Sequence, residues 1–377
     1  VELAENLPLV RQQTGLVIDP YFSGTKIEWL LNNREVRQDD DLCIGTIDSW
    51  LIWNLTGSKS FVTDCTNASR TMLFDISELC WSDQLIKMLG VQPKFLPEVR
   101  ASSGDFGVTI QHGSVPAGIS ISGVAGDQHA ALFGQACFDT GSTKNTYGTG
   151  SFVLMNVGKN CPSPRDGMLT TIAWQLGNEK PVYALEGAIF VTGAAIQWLR
   201  DGLNIIDNAS EITALAQSVD DSSGVVVVPA FTGLGSPWWD AYARGAIFGI
   251  TRGTSRAHIA RATIESIVFQ TRDVVEAMSK ASGVAITELK VDGGASVIDF
   301  MLQLQADHLG VEVLRPKELE TTAIGAAYLA GLAKGVWQST QDISAAWQLE
   351  KTFTPSTKPS GYETWQTAVK RSMNWAK

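Results

Sequence analysis

The stretch ELKVDGGASVIDFMLQLQADHLGVEVLRPKELETTAIGAAYLAGLAKG, residues 288–335, decides the fold class. Its first seven residues are typical of a strand that ends in two glycines, and residues 296–310 are typical of a helix closed by a glycine. A short alternating strand follows over 311–316, and a second helix over 318–335 has Gly335 as its expected C-cap. Strand, helix, strand and helix in this order predict an α/β layer.

Upstream segments extend this pattern. Residues 255–278 form a long amphipathic pattern, which predicts a helix laid over a sheet with Thr254 or Ser255 as its N-cap. The stretch TGSTKNTYGTGSFVLMNVG, 140–158, predicts two strands joined by a Gly-Thr-Gly hairpin turn. The β-branched run in 224–235 predicts a further strand that ends in a loop. We place a domain boundary near residue 136, which gives domains 1–136 and 137–377.

The composition and net charge of the chain disfavour some kinds of binding partner. The chain has 377 residues, of which 44% are hydrophobic and 18% charged, as expected for two domains with a real core. A net charge of −10 disfavours nucleic acid and anionic membranes, although backbone N–H groups can still bind phosphate. The longest small-apolar stretch, 323–333, is too short to span a bilayer, so membrane insertion is not expected. Five scattered cysteines without a C-x-x-C pair indicate reduced thiols in the cytoplasm.

The stretch ISGVAGDQHAALFGQ, 121–135, places Asp127 and Gln128 where a predicted strand turns into a helix. In an α/β sheet, ligands bind at the carboxyl ends of strands. An aspartate there can accept a proton from a hydroxyl group or hold a metal ion. The alternative is that Asp127 caps the following helix. His129 is also a candidate base, but we expect it to lie on the helix face.

Two glycine-rich turns are candidate phosphate contacts. NTYGTG, 145–150, can present N–H groups and the Thr149 hydroxyl to a phosphate, or form a simple hairpin turn. VDGGAS, 291–296, lets the backbone approach a ligand near a helix N-terminus, or serves tight strand–helix packing. No P-loop, G-x-G-x-x-G fingerprint or G-x-S-x-G elbow occurs, which disfavours those nucleotide-binding and hydrolase classes.

Long segments of the chain, in order, resemble the FGGY carbohydrate kinases. YFSGTKIEWLLNN (21–33) and GAIFGITRGTSRAHIARATIESI (245–267) resemble the two family signatures, and the resemblance runs from about Thr14 to the C-terminus. It implies an actin-like, ribonuclease H-like ATPase fold with two α/β domains and a cleft between them. It also implies ATP and Mg²⁺ as cofactors, a cytoplasmic location, and a homo-oligomer that is a dimer or a tetramer.

Within the family, the chain is most similar to members that phosphorylate glycerol, so the implied partners are glycerol and ATP. On that resemblance Asp127 is the general base and attracts Mg²⁺, while Gln128 binds a second glycerol hydroxyl. Tyr21 matches a tyrosine that contacts glycerol, and Phe152 matches an aromatic residue that packs on its carbon backbone. A kinase for another polyol or ketose, and a truncated chain that binds nucleotide without turnover, remain alternatives.

The resemblance also implies the nucleotide contacts. Thr149 matches a hydroxyl that contacts the phosphates, and Gly193 and Gln197 match nucleotide-contact positions. Gly294 matches a glycine beside the adenosine. Ile298 stands where relatives carry asparagine near the adenine, so the purine contact is expected to differ here.

The beginning of the chain departs from the family pattern. The D-x-G-T-T/S-S phosphate loop, and the arginine–glutamate pair and tryptophan at the glycerol site, are not found. The first residue is Val1, so we expect a segment on the order of a hundred residues to be missing and the first domain to be incomplete. The region TIQHGSVPAGIS, 109–120, lacks a Gly-Gly-x-Gly-Gly loop, so regulation by fructose 1,6-bisphosphate is not expected.

Overall fold

The computed structural model describes residues 4–34, 36–163, 167–357 and 359–377. Short elements dominate the first part of the chain. Its strands and helices are α1 (Leu7–Thr14), α2 (Ser23–Asn33), α3 (Ile47–Leu55), β1 (Val62–Asp64), α4 (Cys65–Ala68), β2 (Phe74–Asp75), β3 (Cys80–Trp81), α5 (Asp83–Met88), β4 (Glu98–Arg100), β5 (Ser103–Val108), β6 (Ser120–Gly123) and α6 (Asp127–Gly134). Among the described residues before α6, strands pair only in twos: β1 with β4, β2 with β3, and β5 with β6.

The second part contains longer elements. They are β7 (Thr143–Tyr147), β8 (Ser151–Gly158), β9 (Leu169–Trp174), β10 (Val182–Ile189), α7 (Gly193–Asp201), α8 (Glu211–Gln217), β11 (Val226–Val228), β12 (Ala246–Phe248), α9 (Arg256–Ser282), β13 (Glu288–Asp292), α10 (Asp299–Leu309), β14 (Glu312–Pro316), α11 (Thr321–Ala333), α12 (Thr340–Ala346), β15 (Leu349–Phe353) and α13 (Tyr362–Ser372). Short 3₁₀ turns lie at Ala4–Asn6, Pro93–Phe95 and Gly294–Val297.

A seven-stranded mixed sheet, in the order β15-β14-β13-β7-β8-β10-β9, forms the centre of the second part. β13 is parallel to β7 and β14, and the other pairs are antiparallel. Alternate residues of each strand face opposite sides. On one side Tyr147 and Val291 pack with Ile264 of α9 and Leu302 of α10. On the other, β8 and β10 pack with α6 and α11. The predicted α/β layer is confirmed.

Most predicted elements occur, with shifted ends. The hairpin of β7 and β8 is confirmed, and Ser255 caps α9 in a reciprocal arrangement with His258. The helix expected over 296–310 begins only at Asp299, because a 3₁₀ turn precedes it. Gly335 was wrongly expected as a C-cap: α11 is capped by Lys334, and Gly335 follows with a φ of 70°. The division into 1–136 and 137–377 stays a prediction.

Candidate active site

The loop before Asp127 is held by buried polar side chains of the first part. Asp64 is fully buried at the start of α4, and it accepts hydrogen bonds from Thr66, Asn67 and Ser102. The Thr66 hydroxyl in turn accepts a bond of 2.8 Å from the backbone N–H of Gly126. This chain of bonds fixes the backbone immediately before Asp127.

A close contact between helices fixes α6 itself. A Cβ atom placed on Gly325 of α11 would lie 1.8 Å from the carbonyl oxygen of Ala130. A Cβ atom on Gly134 of α6 would lie 2.0 Å from the carbonyl oxygen of Thr321. Only glycine permits the two backbones to approach this closely. The contact sets the position of α6 and therefore of the residue that begins it.

Asp127 lies at the start of α6 with an exposed side chain. The N-cap of α6 is Gly126 rather than Asp127. The carboxylate accepts a bond of 2.7 Å from the N–H of Gln128, and within the described residues this is its only hydrogen bond. Helix capping therefore does not account for Asp127, and most of its capacity to accept hydrogen bonds is free for a ligand.

Below the start of α6, the sheet presents a row of polar side chains. Lys144 of β7 and Glu186 of β10 are both register partners of Leu154 in β8, so all three side chains share one face. The ammonium group of Lys144 donates hydrogen bonds to Oε1 of Gln128 and, at 2.9 Å, to the hydroxyl of Thr146. The next row on this face carries Thr146 opposite Phe152. Gln128 and Phe152 are thus brought to the same region.

Arg70 and Tyr21 complete this region from the first part of the chain. Arg70 forms an ion pair of 2.8 Å with Glu186, whose side chain is only 1% exposed. The guanidinium carbon of Arg70 lies 5.2 Å from the centre of the Phe22 ring. Tyr21 is half-exposed. Burial and the charges of Glu186 and Asp127 raise the pKa of Tyr21, against the effect of Arg70. Tyr21 therefore lies close enough to Asp127 for the charge of the carboxylate to affect its pKa.

A separate cavity of about 590 Å³ lies at the end of β7. Its lining includes all the residues predicted to contact nucleotide, together with the residue near the adenine: Thr149, Gly193, Gln197, Gly294 and Ile298.

The backbone around this cavity is close-packed on one side and open on the other. The N–H of Gly193 donates to the carbonyl oxygen of Gly148 at 3.0 Å, and a Cβ atom on Gly193 would lie 2.6 Å from that oxygen. Gly293 has a φ of 86° that favours glycine. Gly294 has no heavy atom within 4 Å of a Cβ position, which leaves space for a ligand.

His129, the other candidate base, has a structural role instead. His129 is buried, and its Nε2 atom lies 2.9 Å from the hydroxyl of Thr171, while burial keeps its pKa well below the usual value. It is not placed to act as a base in the cleft. In the part of the chain that the structure describes, no group of three or more His, Cys, Asp or Glu side chains could hold a metal ion.

Comparison with known proteins shows the family of this chain. The model of the N-terminal domain of the FGGY family of carbohydrate kinases matches residues 2–134, and the model of its C-terminal domain matches residues 143–334. The chain belongs to the FGGY family of carbohydrate kinases. The family fold is a mixed α/β fold of two domains, consistent with the actin-like architecture predicted from the sequence.

Relatives of this FGGY chain include several glycerol kinases. Glycerol kinase 2 of Thermotoga maritima is 55% identical, over 98% of this chain and 75% of the relative. Glycerol kinase of Symbiobacterium thermophilum is 54% identical, over 98% of this chain and 75% of the relative. The crystal structure of Plasmodium falciparum glycerol kinase with ADP has a TM-score of 0.91 and 36% identity, covering 98% of this chain and 76% of that one.

Sequence reasoning missed three charged residues of the candidate site: Lys144, Arg70 and Glu186. Each contributes a charge to the region below the start of α6. For Lys144 and Glu186 the available signal was a charged residue within a strand, in TKNTY and VYALEGAI. Arg70 lies in a turn after α4 and offered no such signal. Arg200, which lines the nucleotide-side cavity and pairs with Asp201 at 2.6 Å, was missed as well.

Proposed function

We propose that this chain transfers the γ-phosphoryl group of ATP to a terminal hydroxyl of glycerol, giving sn-glycerol 3-phosphate. The observation that carries the proposal is the exposed carboxylate of Asp127, which does not serve as a helix cap and lies beside Gln128 at one end of β7. The turn with Thr149 follows directly after the other end of this strand. β7 therefore connects a candidate acceptor site to a candidate nucleotide cavity. The identity to glycerol kinases supports glycerol as the acceptor.

Asp127 acts as the general base in this proposal. Its carboxylate takes the proton of the attacking hydroxyl as the oxygen bonds to the γ-phosphorus. Gln128 binds a second hydroxyl, and Tyr21 contacts the same polyol from the first part of the chain. Phe152, which is half-buried, covers the C–H side of the substrate. Polar groups opposite one apolar ring suit a small polyol, which has hydroxyls on one edge and C–H groups on the other.

ATP binds in the cavity lined by Thr149, Gly193, Gln197 and Gly294. We assign the phosphates to the hydroxyl of Thr149 and neighbouring N–H groups, and the adenosine to the wall with Gly294 and Ile298. Mg²⁺ supplies charge neutralisation at the transferring phosphate when it is bound. Asp127 is its proposed protein ligand, and since magnesium commonly takes one carboxylate together with phosphate oxygens and water, this donor set fits the ion.

The cellular setting belongs to the same proposal. We place the protein in the cytoplasm, where its five free cysteines fit a reducing compartment. No helix among the described residues combines the length and hydropathy that a membrane span requires. We further propose a homo-oligomer, either a dimer or a tetramer.

Product analysis tests the proposal. The purified chain is incubated with ATP and Mg²⁺ and with glycerol, xylulose or gluconate in separate reactions, and phosphorylated products are identified by mass. We expect glycerol 3-phosphate, and little product from the other two. Product from xylulose or gluconate alone would overturn the choice of substrate. Nucleotide binding without product from any acceptor would favour a chain that binds but does not transfer.

A further inference from the structure

Lys144 is a buried cation that the reaction as described so far does not use. It is the second residue of β7, and it is 0% exposed. Its ammonium group bonds to the Gln128 amide and to the Thr146 hydroxyl. In the part of the chain that the structure describes, it forms no ion pair with a carboxylate. Burying a charged ammonium group costs free energy, so neighbouring groups must stabilise it.

The contact with Lys144 determines which end of the Gln128 amide faces the cleft. A side-chain amide accepts hydrogen bonds at its oxygen and donates them from its nitrogen, whereas an ammonium group can only donate. Lys144 must therefore bond to the oxygen, and Oε1 of Gln128 is the atom it contacts. The Nε2 group then points away from Lys144, and it has no partner among the described residues. It is a free donor beside Asp127.

We propose that Lys144 is a positioning residue for phosphoryl transfer, which orients the Gln128 amide so that its nitrogen, not its oxygen, faces the polyol. The inference rests on the proposed function and deepens it. One hydroxyl donates its proton to Asp127, and a neighbouring hydroxyl accepts a hydrogen bond from Gln128. The site therefore selects an acceptor at that second position. A protonated amine there, as in 2-amino-1,3-propanediol, cannot accept and is repelled by Lys144.

The groups around Lys144 make its orientation of the Gln128 amide dependent on pH. Asp292 faces Lys144 from β13, Glu186 from β10, and Asp127 from α6. The other titratable or charged groups around it are Lys290, its register partner in β13, and Cys137, His129 and Arg70. Burial lowers the pKa of Lys144 to about 8, against the effect of Asp292, Glu186 and Asp127 in that order. Lys144 therefore loses its proton as the pH rises through this value. A neutral amine can accept as well as donate, so it no longer fixes the amide.

The test compares Lys144→Met with the unchanged chain, in the presence and absence of Gln128→Ala. Loss of a hydrogen bond from a charged group predicts a rise in KM for glycerol of about tenfold or more, with KM for ATP nearly unchanged. In the Gln128→Ala background the same substitution should have little further effect. Equal effects in both backgrounds would overturn the proposal, because Lys144 would then act independently of Gln128.

A second variant tests the orientation of the amide directly. Gln128→Glu keeps an oxygen for Lys144 but removes the donor that faces the substrate. We expect normal folding and nucleotide affinity, with KM for glycerol raised by about tenfold or more. Unchanged KM would mean that an oxygen faces the substrate, and the proposal would be wrong. In the unchanged chain, KM for glycerol should also rise above about pH 8, and Lys144→Met should abolish this rise. If the rise persisted in Lys144→Met, loss of the proton from Lys144 would not be its cause.

Lys290→Met provides a matched control. Lys290 is the register partner of Lys144 in β13 and is also buried, but its ammonium group bonds to the carbonyl oxygens of Gln135 and Ala136. Its loss should lower stability without changing KM for glycerol. If the unchanged chain makes no product, the proposed function fails. Calorimetric titration of glycerol into the unchanged chain and into Lys144→Met then decides the role of Lys144, since equal affinities would overturn the proposal.

Discussion

The glycine contact between α6 and α11 predicts a large effect from one added methyl group. In Gly325→Ala the new Cβ atom would start 1.8 Å from the carbonyl oxygen of Ala130. A carbon and a carbonyl oxygen approach to about 3.3 Å at closest, so the backbones must separate by roughly 1.5 Å. Ala130 is three residues after Asp127 in the same helix. Much of that displacement therefore reaches the proposed base.

The expected loss follows from the geometry of the reacting groups. A misplacement of about 1 Å can cost about 100-fold in rate, so we expect kcat for glycerol phosphorylation to fall by that order. Overpacking should also lower the free energy of unfolding by about 1–3 kcal/mol, partly offset by about 1 kcal/mol of helix propensity that alanine gains over glycine. Steady-state kinetics and equilibrium unfolding in urea measure the two effects.

A second glycine-to-alanine substitution separates the effect of the steric clash from the effect of adding a methyl group. Gly253 precedes α9, and the nearest heavy atom to a Cβ atom there is the Thr251 hydroxyl at 3.8 Å. Gly253→Ala should leave kcat and stability nearly unchanged. If Gly325→Ala kept kcat within about twofold of the unchanged chain and were more stable by its helix propensity, the reasoning would be refuted.

Three further predictions test other parts of the account. Arg70→Met leaves Glu186 buried without its partner, so urea unfolding should show a loss of about 3–5 kcal/mol that Glu186→Gln largely restores; a loss below about 1 kcal/mol would contradict this. Burial raises the pKa of Asp273 to about 6, above its unfolded value of about 4, so the folded state binds its proton more tightly and stability falls as pH rises between these values. Asp273→Asn should flatten that slope in unfolding measured at several pH values, and an identical slope would count against it. Ile298→Asn should tighten ADP binding about threefold or more in calorimetry, and weaker binding would argue against adenine at this wall.

Local sequence signals predicted the parts of the site that are formed by neighbours in sequence. The turn from β6 into α6 carries Asp127 as expected, and the β7–β8 hairpin places Thr149 between two glycines. These elements follow from strand alternation, helix periodicity and turn glycines, all of which act over a few residues. The resemblance to the family added Gly193 and Gly294, which line the same cavity as Thr149.

Long-range contacts could not be read in the same way. Lys144 meets Gln128 only because α6 lies on one face of the sheet, and Arg70 meets Glu186 across 116 positions of sequence. A charged residue in a strand does not indicate its own partner. The start of α10 also shifted, because the close approach of Gly293 to Tyr147 favours a tight 3₁₀ turn before the helix. Tertiary packing decided each of these features.

The central claim is that the carboxylate of Asp127 takes the proton from glycerol, and Asp127→Asn tests it most directly. Asparagine keeps the shape of the side chain but cannot act as a base at neutral pH. Single-turnover formation of glycerol 3-phosphate is measured for both proteins, with ADP affinity measured in parallel. The account predicts a rate lower by about 10²- to 10⁴-fold with ADP affinity nearly unchanged. A rate close to that of the unchanged chain would contradict it.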